Sequence, residues 1–214
     1  MAKSLVSVAL GVAATAHADS NIQITEWLYD GRNGEYIEFT NLGTSAVDFN
    51  GWSFDDDSST PGVTSLSGFG IVAAGQSVVL TEAAAADFRS AWGLAAAVKV
   101  VGDNTNNLGR NDQINLFNAG GMLVDRFTYG DQSFTGTIRT QYRSGNPLAL
   151  ADLTPQTVTN RWVFASTGDA YGSRSSTLGD IGNPGSFALT IPAPVPEPSA
   201  YALTLIGFAG VAAL

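Results

Sequence analysis

Apolar and polar residues alternate with a period of two along several short stretches of this chain, and that period predicts β-strands. Ile22-Gln23-Ile24-Thr25-Glu26-Trp27-Leu28-Tyr29 opens the series, with Ile22 and Ile24 set against polar neighbours. Asp30-Gly31-Arg32-Asn33-Gly34 then supplies turn chemistry. In Glu35-Tyr36-Ile37-Glu38-Phe39-Thr40-Asn41 the same period puts Ile37 and Phe39 on one face and Glu38 on the other. Residues 46–54 carry Val47, Phe49 and Trp52 around a bend at Asn50-Gly51. Further strands are expected at 77–80, 98–101, 113–118 and 122–129, the last two as a hairpin across Ala119-Gly120-Gly121. One helix is expected at 82–92, capped by Thr81, filled with alanine and ended by Gly93. Short strands with a single helix predict an all-β sandwich. Its core is expected to include Ile37, Phe39, Trp52, Val79, Leu116 and Phe127.

Composition sharpens this picture. Charged residues make up only 14% of the chain while Gly numbers 24, a mixture that suits an extracellular β-rich domain with many turns. There is no cysteine, so disulfides do not stabilise the fold. At the N-terminus, Lys3, the apolar stretch 5–16 and Ala16-His17-Ala18 fit a secretory signal peptide over 1–18, cleaved by the small-x-small rule at Ala16 and Ala18. A mature chain starting near Asp19 loses His17, the only histidine. Ser-His-Asp and Cys-His nucleophilic sites are then excluded, as are His- or thiolate-ligated zinc, copper and haem. Carboxylate acid-base chemistry, a Lys or Tyr base and oxygen-ligated Ca²⁺ or Mg²⁺ remain; no cofactor is implied. Loss of Lys3 also takes the formal net charge from -9 to -10, which disfavours nucleic acid as a partner.

At the other end, Val195-Pro196-Glu197-Pro198-Ser199 is followed by an apolar run over 200–214. This resembles the PEP-CTERM sorting signal of Gram-negative bacteria, a Pro-Glu-Pro box followed by a hydrophobic segment and a basic tail. The resemblance implies an exosortase-type membrane protease as partner, a transient stay in the inner membrane, and delivery to the cell surface or extracellular matrix. The fifteen residues 200–214 carry no Lys or Arg after them. A spanning helix needs about 20 apolar residues, so the pattern expects a longer hydrophobic segment and a basic tail beyond Leu214.

The chain between these ends resembles a second family. Tyr36-Ile37-Glu38-Phe39-Thr40-Asn41 and Val47-Asp48-Phe49-Asn50-Gly51-Trp52-Ser53-Phe54-Asp55 are similar to the opening strands of lamin-tail domains. Ala74-Gly75-Gln76-Ser77-Val78-Val79-Leu80 is similar to the next strand, and Asn111-Asp112-Gln113-Ile114-Asn115-Leu116-Phe117-Asn118-Ala119-Gly120-Gly121-Met122-Leu123-Val124-Asp125 to the closing hairpin. Phe127-Thr128-Tyr129-Gly130-Asp131 completes the match. The resemblance implies an immunoglobulin-like β-sandwich over 19–131. Residues 132–190 are read as an extension completing the same domain, in which 138–141 pairs with 162–164 and 148–153 forms a short helical turn. A Pro-Gly closure at 179–186 ends it, and 191–199 is a proline-rich linker holding the sorting box.

Four groups of residues are candidates for chemistry. Asp55-Asp56-Asp57 offers oxygens for Ca²⁺, but lacks the Asp-x-Asp-x-Asp-Gly spacing and reads as a solvated loop. The stretch 102–112, rich in Asn, Asp and Gly, reads as a turn for the same reason. Glu35 and Glu38 suggest a glycosidase pair, yet residues three apart on one strand face opposite ways. Trp27, Trp52, Trp92 and Trp162 could stack on sugars, with Trp52 read as core and Trp162 expected to be the exposed one. Three functions stay open: a non-enzymatic surface or matrix protein acting in adhesion or polysaccharide binding; a secreted carboxylate-dependent hydrolase; and, carried by the family resemblance alone, binding to nucleic acid or a nuclear-type partner, which the acidic charge disfavours.

Overall fold

The computed structural model describes residues 21–153, 157–158 and 161–187. Strands follow in the order β1 (Ile22–Leu28), β2 (Tyr36–Asn41), β3 (Val47–Asp48), β4 (Ser53–Asp55), β5 (Thr64–Ser65), β6 (Ile71–Val72), β7 (Ser77–Thr81), then helix α1 (Ala85–Trp92). After the helix come β8 (Lys99–Val101), β9 (Asp112–Phe117), β10 (Leu123–Tyr129), β11 (Gly145–Pro147), β12 (Thr157–Val158), β13 (Trp162–Phe164), β14 (Arg174–Ser175) and β15 (Ile181–Gly182). One sheet has the order β13-β11-β1-β2-β7-β8 and the other β12-β10-β9-β4-β5. Their facing surfaces enclose the main core, where Trp27 meets Phe127 edge-on with ring centroids 4.5 Å apart. The result is a β-sandwich with one α-helix on its outer side.

The hairpin expected at 113–118 and 122–129 is present as β9 and β10. Asn118 Oδ1 accepts hydrogen bonds from the amides of Gly120 and Met122 and so shapes the turn. The helix starts later than expected. Thr81 remains in β7, where its hydroxyl donates to the Glu35 carbonyl at 2.7 Å and accepts from the Ala83 amide, so Ala84 takes the N-cap position without a side-chain bond. Gly93 ends α1 in the left-handed conformation, as its sequence position implies. The segment 138–141 does not pair with 162–164. β13 pairs instead with β11, Asn146 opposite Val163, while Gln141 forms an isolated bridge to Asp30.

Strict alternation along β1 would place Ile22, Ile24 and Glu26 on one face and Trp27 on the other. The structure reverses that phase with a bulge at Thr25. Ile24 pairs with Phe39, but Glu26 pairs with Glu38 and Trp27 with Ile37. Trp27 therefore enters the core and Glu26 leaves it. The core tolerates the indole only because residue 145 is Gly, since a Cβ there would stand 2.2 Å from Trp27 Cζ3.

Five of the six expected core residues, Ile37, Phe39, Trp52, Leu116 and Phe127, lie in the main cluster. Val79 is buried too, but on the opposite face of its sheet, with Leu28, Tyr36, Phe88 and Trp92 beneath the helix. Trp52 is 5% exposed and stacks on Phe49 with centroids 4.7 Å apart. Trp52→Ala is expected to destabilise the domain by about 3–5 kcal/mol in equilibrium denaturation. A loss below about 1 kcal/mol would mean that the site collapses or that the ring contributes little to the core.

Candidate functional site

The outer face of the first sheet holds a polar cluster centred on two carboxyls. Glu26 and Glu38 stand directly opposite each other on β1 and β2, and both are fully buried. Glu26 Oε1 accepts from the Tyr36 hydroxyl at 2.7 Å, from Ser144 Oγ at 2.5 Å and from the Asn183 amide at 2.8 Å. Its Oε2 is buried and has no hydrogen-bond partner among the described residues. Glu38 Oε1 accepts from Thr25 Oγ1 at 2.7 Å, and Oε2 from the Gly185 amide at 2.8 Å. Hydroxyls continue the network across three strands: Thr25 Oγ1 lies 2.8 Å from Thr40 Oγ1, which lies 2.7 Å from Ser77 Oγ. Gly182 closes over this cluster, where a Cβ would come within 2.2 Å of the Tyr36 hydroxyl oxygen.

Burial dominates the electrostatics. Loss of hydration pushes Glu26 from its ordinary 4.5 to about 7, against the lowering effect of its hydrogen bonds. Burial, then the neighbouring Glu26 charge, pushes Glu38 to about 8. Glu35 behaves alike but in a different place, as its opposite direction on the strand requires. It accepts from the Leu108 amide at 2.7 Å, and burial pushes it to about 8. Glu35 and Glu38 therefore form no pair. The pair that does form, Glu26 with Glu38, was hidden by the bulge. The run Trp27-Leu28-Tyr29 was its signal, since consecutive apolar residues mark a strand covered on both faces.

The Asp55–Asp57 loop is not uniformly solvated. Asp55 is 1% exposed, because Ser58 Oγ, the Thr60 amide and Asn106 Nδ2 all donate to its carboxylate. Burial alone would raise its pKa, but these bonds outweigh it and hold the group below the ordinary range. Asp56 is half-buried and Asp57 exposed. The stretch 102–112 supplies Asn104, Asn106 and Leu108 as partners for Glu35 and Asp55, so its polar atoms serve the fold. Among the described residues no group of three or more His, Cys, Asp or Glu side chains is placed to hold a metal ion.

No tryptophan offers a stacking platform. Trp27, Trp52, Trp92 and Trp162 are at most 5% exposed, and Trp162, expected at the surface, packs its ring 4.5 Å from Phe127. Register explains this: Trp162 lies opposite Pro147 of β11, the strand between it and Trp27, and completes the same aromatic cluster. Among the described residues no helix is long and apolar enough to cross a membrane. Ala16, Ala18 and Val195, Pro196, Glu197, Pro198 and Ser199 lie outside the described residues, as do the apolar segments 5–16 and 200–214.

Two outcomes follow from this geometry. Glu26, Glu35 and Glu38 hold their protons more tightly in the folded chain than near 4.5 in the unfolded one. Their contribution is therefore complete below about pH 4.5 and lost as pH rises through 7 to 8. Denaturation midpoints should fall between pH 5 and 8, with a loss of at least about 2 kcal/mol at roughly 1.4 kcal/mol per unit. A midpoint that rises over that range would mean these groups are ionised at no cost. Millimolar Ca²⁺ should leave the melting temperature unchanged to about 1 °C; a rise of several degrees, abolished by Asp55→Ala with Asp57→Ala, would instead show binding at the acidic loop.

A family model described as Lamin Tail Domain matches residues 15–131, more than half of the 214-residue chain. No curated protein matches the chain. The matched stretch spans β1 to β10 and contains both Glu26 and Glu38, whereas Ser144, Asn183 and Gly185, which bind them, lie beyond it. The match and the two-sheet architecture agree on an immunoglobulin-like β-sandwich, and the chain belongs to the lamin tail domain family.

Proposed function

We propose that this chain is an exported, non-enzymatic protein of the cell surface or extracellular matrix of a Gram-negative bacterium. In this reading an exosortase-type protease sorts it through the Pro196-Glu197-Pro198 box, and its sandwich acts in adhesion or polysaccharide contact. The observation that carries the non-enzymatic part is the enclosure of its carboxylate pair. A hydrolase working through Glu26 and Glu38 would need both open to substrate on either side of a scissile bond. Each is instead fully buried and hydrogen-bonded to the amide of a covering segment. The buried tryptophans favour contact with a polysaccharide through polar loops over contact through stacked rings. The acidic balance of the chain, -9 overall, argues against a nucleic-acid partner.

The sorting part rests on the sequence of the tail. Pro196 and Pro198 lack backbone N–H groups and restrict φ, which favours an extended segment suited to a protease cleft. Replacing Pro196-Glu197-Pro198 by alanines, in the native gene and in a host with the matching exosortase, should leave the domain folded but held in the inner membrane. Cell fractionation checks this. Unchanged delivery to the surface would sink the sorting assignment and leave an ordinary hydrophobic anchor.

A further inference from the structure

The closing segment 181–187 is held to the sheet in an unusual way. Two of its backbone amides, Asn183 and Gly185, each donate to a different member of the facing carboxyl pair, Glu26 and Glu38 respectively. Side chains opposite each other across an antiparallel pair have Cβ atoms about 5 Å apart, so two ionised carboxylates here would repel strongly in a buried setting. Among the described residues no salt bridge reaches either carboxylate. The groups facing the pair are Tyr36 from β2 and Arg174 from β14, which acts on Glu26 only through its field. From β7 come Ser77 and Val79, and from α1 Phe88 and Trp92, none of which titrates in this range. The segment's own Asp180, just before it, binds the Asn33 amide and faces Arg32 at 3.7 Å, away from the pair.

We propose that Glu26 and Glu38 form a proton-operated clasp that holds residues 181–187 on the sheet and lets them go when both carboxyls ionise. One proton on the pair removes the repulsion, and the unpartnered Glu26 Oε2 is the atom that can carry it without losing an existing bond. The proton has a route. Glu38 connects through Thr25 and Thr40 to Ser77, and Ser77 lines a surface groove together with Gly185, Ser186 and Phe187. The groove edge is thus made by the segment that the clasp holds. Opening needs no rearrangement of the sandwich core, because the pair lies on the outer face of its sheet and the main aromatic cluster on the inner face. The direction of the titration, Glu26 to about 7 and Glu38 to about 8, places the release on the alkaline side of neutrality.

Hydrogen exchange on the full chain tests the clasp, with protection corrected for the intrinsic pH dependence of amide exchange. Between about pH 6 and about pH 9.5, amides of 181–187 should lose at least about tenfold in protection and become nearly unprotected, while those of β9 and β10 fall only with the global stability and stay protected. Glu38→Gln should keep the segment protected at the higher pH. Its amide oxygen can still accept from Gly185, and its NH₂ can donate to Thr25, whose hydroxyl chain can reverse. Equal protection of 181–187 at both pH values would overturn the proposal. So would exposure of β9 and β10 at the same pH as 181–187, or release in Glu38→Gln at the wild-type pH. Should Glu38→Gln fail to fold, Glu26→Gln is the second variant, and the wild-type series decides without either.

Discussion

Strands β1 and β2 are buried on both faces, so the sheet they form needs two covers, and the rest of the chain supplies them. The inner cover is the second sheet, whose Phe127 and Tyr129 meet Trp27. The outer cover is heterogeneous: helix α1 brings Phe88 and Trp92 against Tyr36, and the segment 181–187 spans the polar part. A single extra residue decides which side chains meet which cover. The bulge at Thr25 turns Trp27 inward and Glu26 outward, and the second half of β1 would carry the wrong faces without it.

The two covers obey different physics. Apolar contact on the inner face is non-directional and tolerates approximate geometry, provided volume is filled. The outer face buries carboxyls, hydroxyls and backbone amides, and each of these must find a partner or lose several kcal/mol of hydration. Protonation keeps the cost bearable by removing charge where no cation is hydrogen-bonded. The outer cluster thus adds little net stability and much definition of where the closing segment sits. That division explains why a chain without cysteine can still fix an irregular C-terminal stretch whose last strand, β15, has only two residues.

Much of the fold was legible in the chain, for identifiable reasons. Period-two stretches located β1, β2, β7, β9 and β10, and the Asn118–Gly121 turn announced its hairpin through its Asn and Gly residues. Very short elements such as β5 and β11 escaped notice because a period cannot be read from so few positions, and β13, expected at 162–164, was given 138–141 as its partner in place of β11. The bulge escaped for another reason: Thr25 differs from an ordinary outward-facing residue only through its partners Glu38 and Thr40, thirteen and fifteen positions away. With the phase wrong, Trp27 looked available for ligand and Glu26 looked unremarkable. Trp162 was misplaced similarly, since its burial depends on β11 and on Gly145 making room for Trp27. The Asp55 loop looked solvated because its three donors come from Ser58, Thr60 and the distant Asn106.

The same dependence shows why the stretch matching the family is not a closed unit here. Within 15–131 the Trp27 ring has Phe127 and Tyr129 beside it, but its remaining side is covered by Trp162, from β13. Glu26 likewise has Tyr36 from within the stretch and Ser144 and Asn183 from outside it. Removing the later strands would expose an indole on one face of β1 and a carboxyl pair on the other. The hydration that a free Glu26–Glu38 pair would gain favours its ionised form, and two like charges opposite each other oppose the β1–β2 pairing itself. The later strands therefore do more than add area to the edge of a finished sandwich. They keep the central pair of strands dry, and that dryness lets two carboxyls face each other at the centre of an acidic protein.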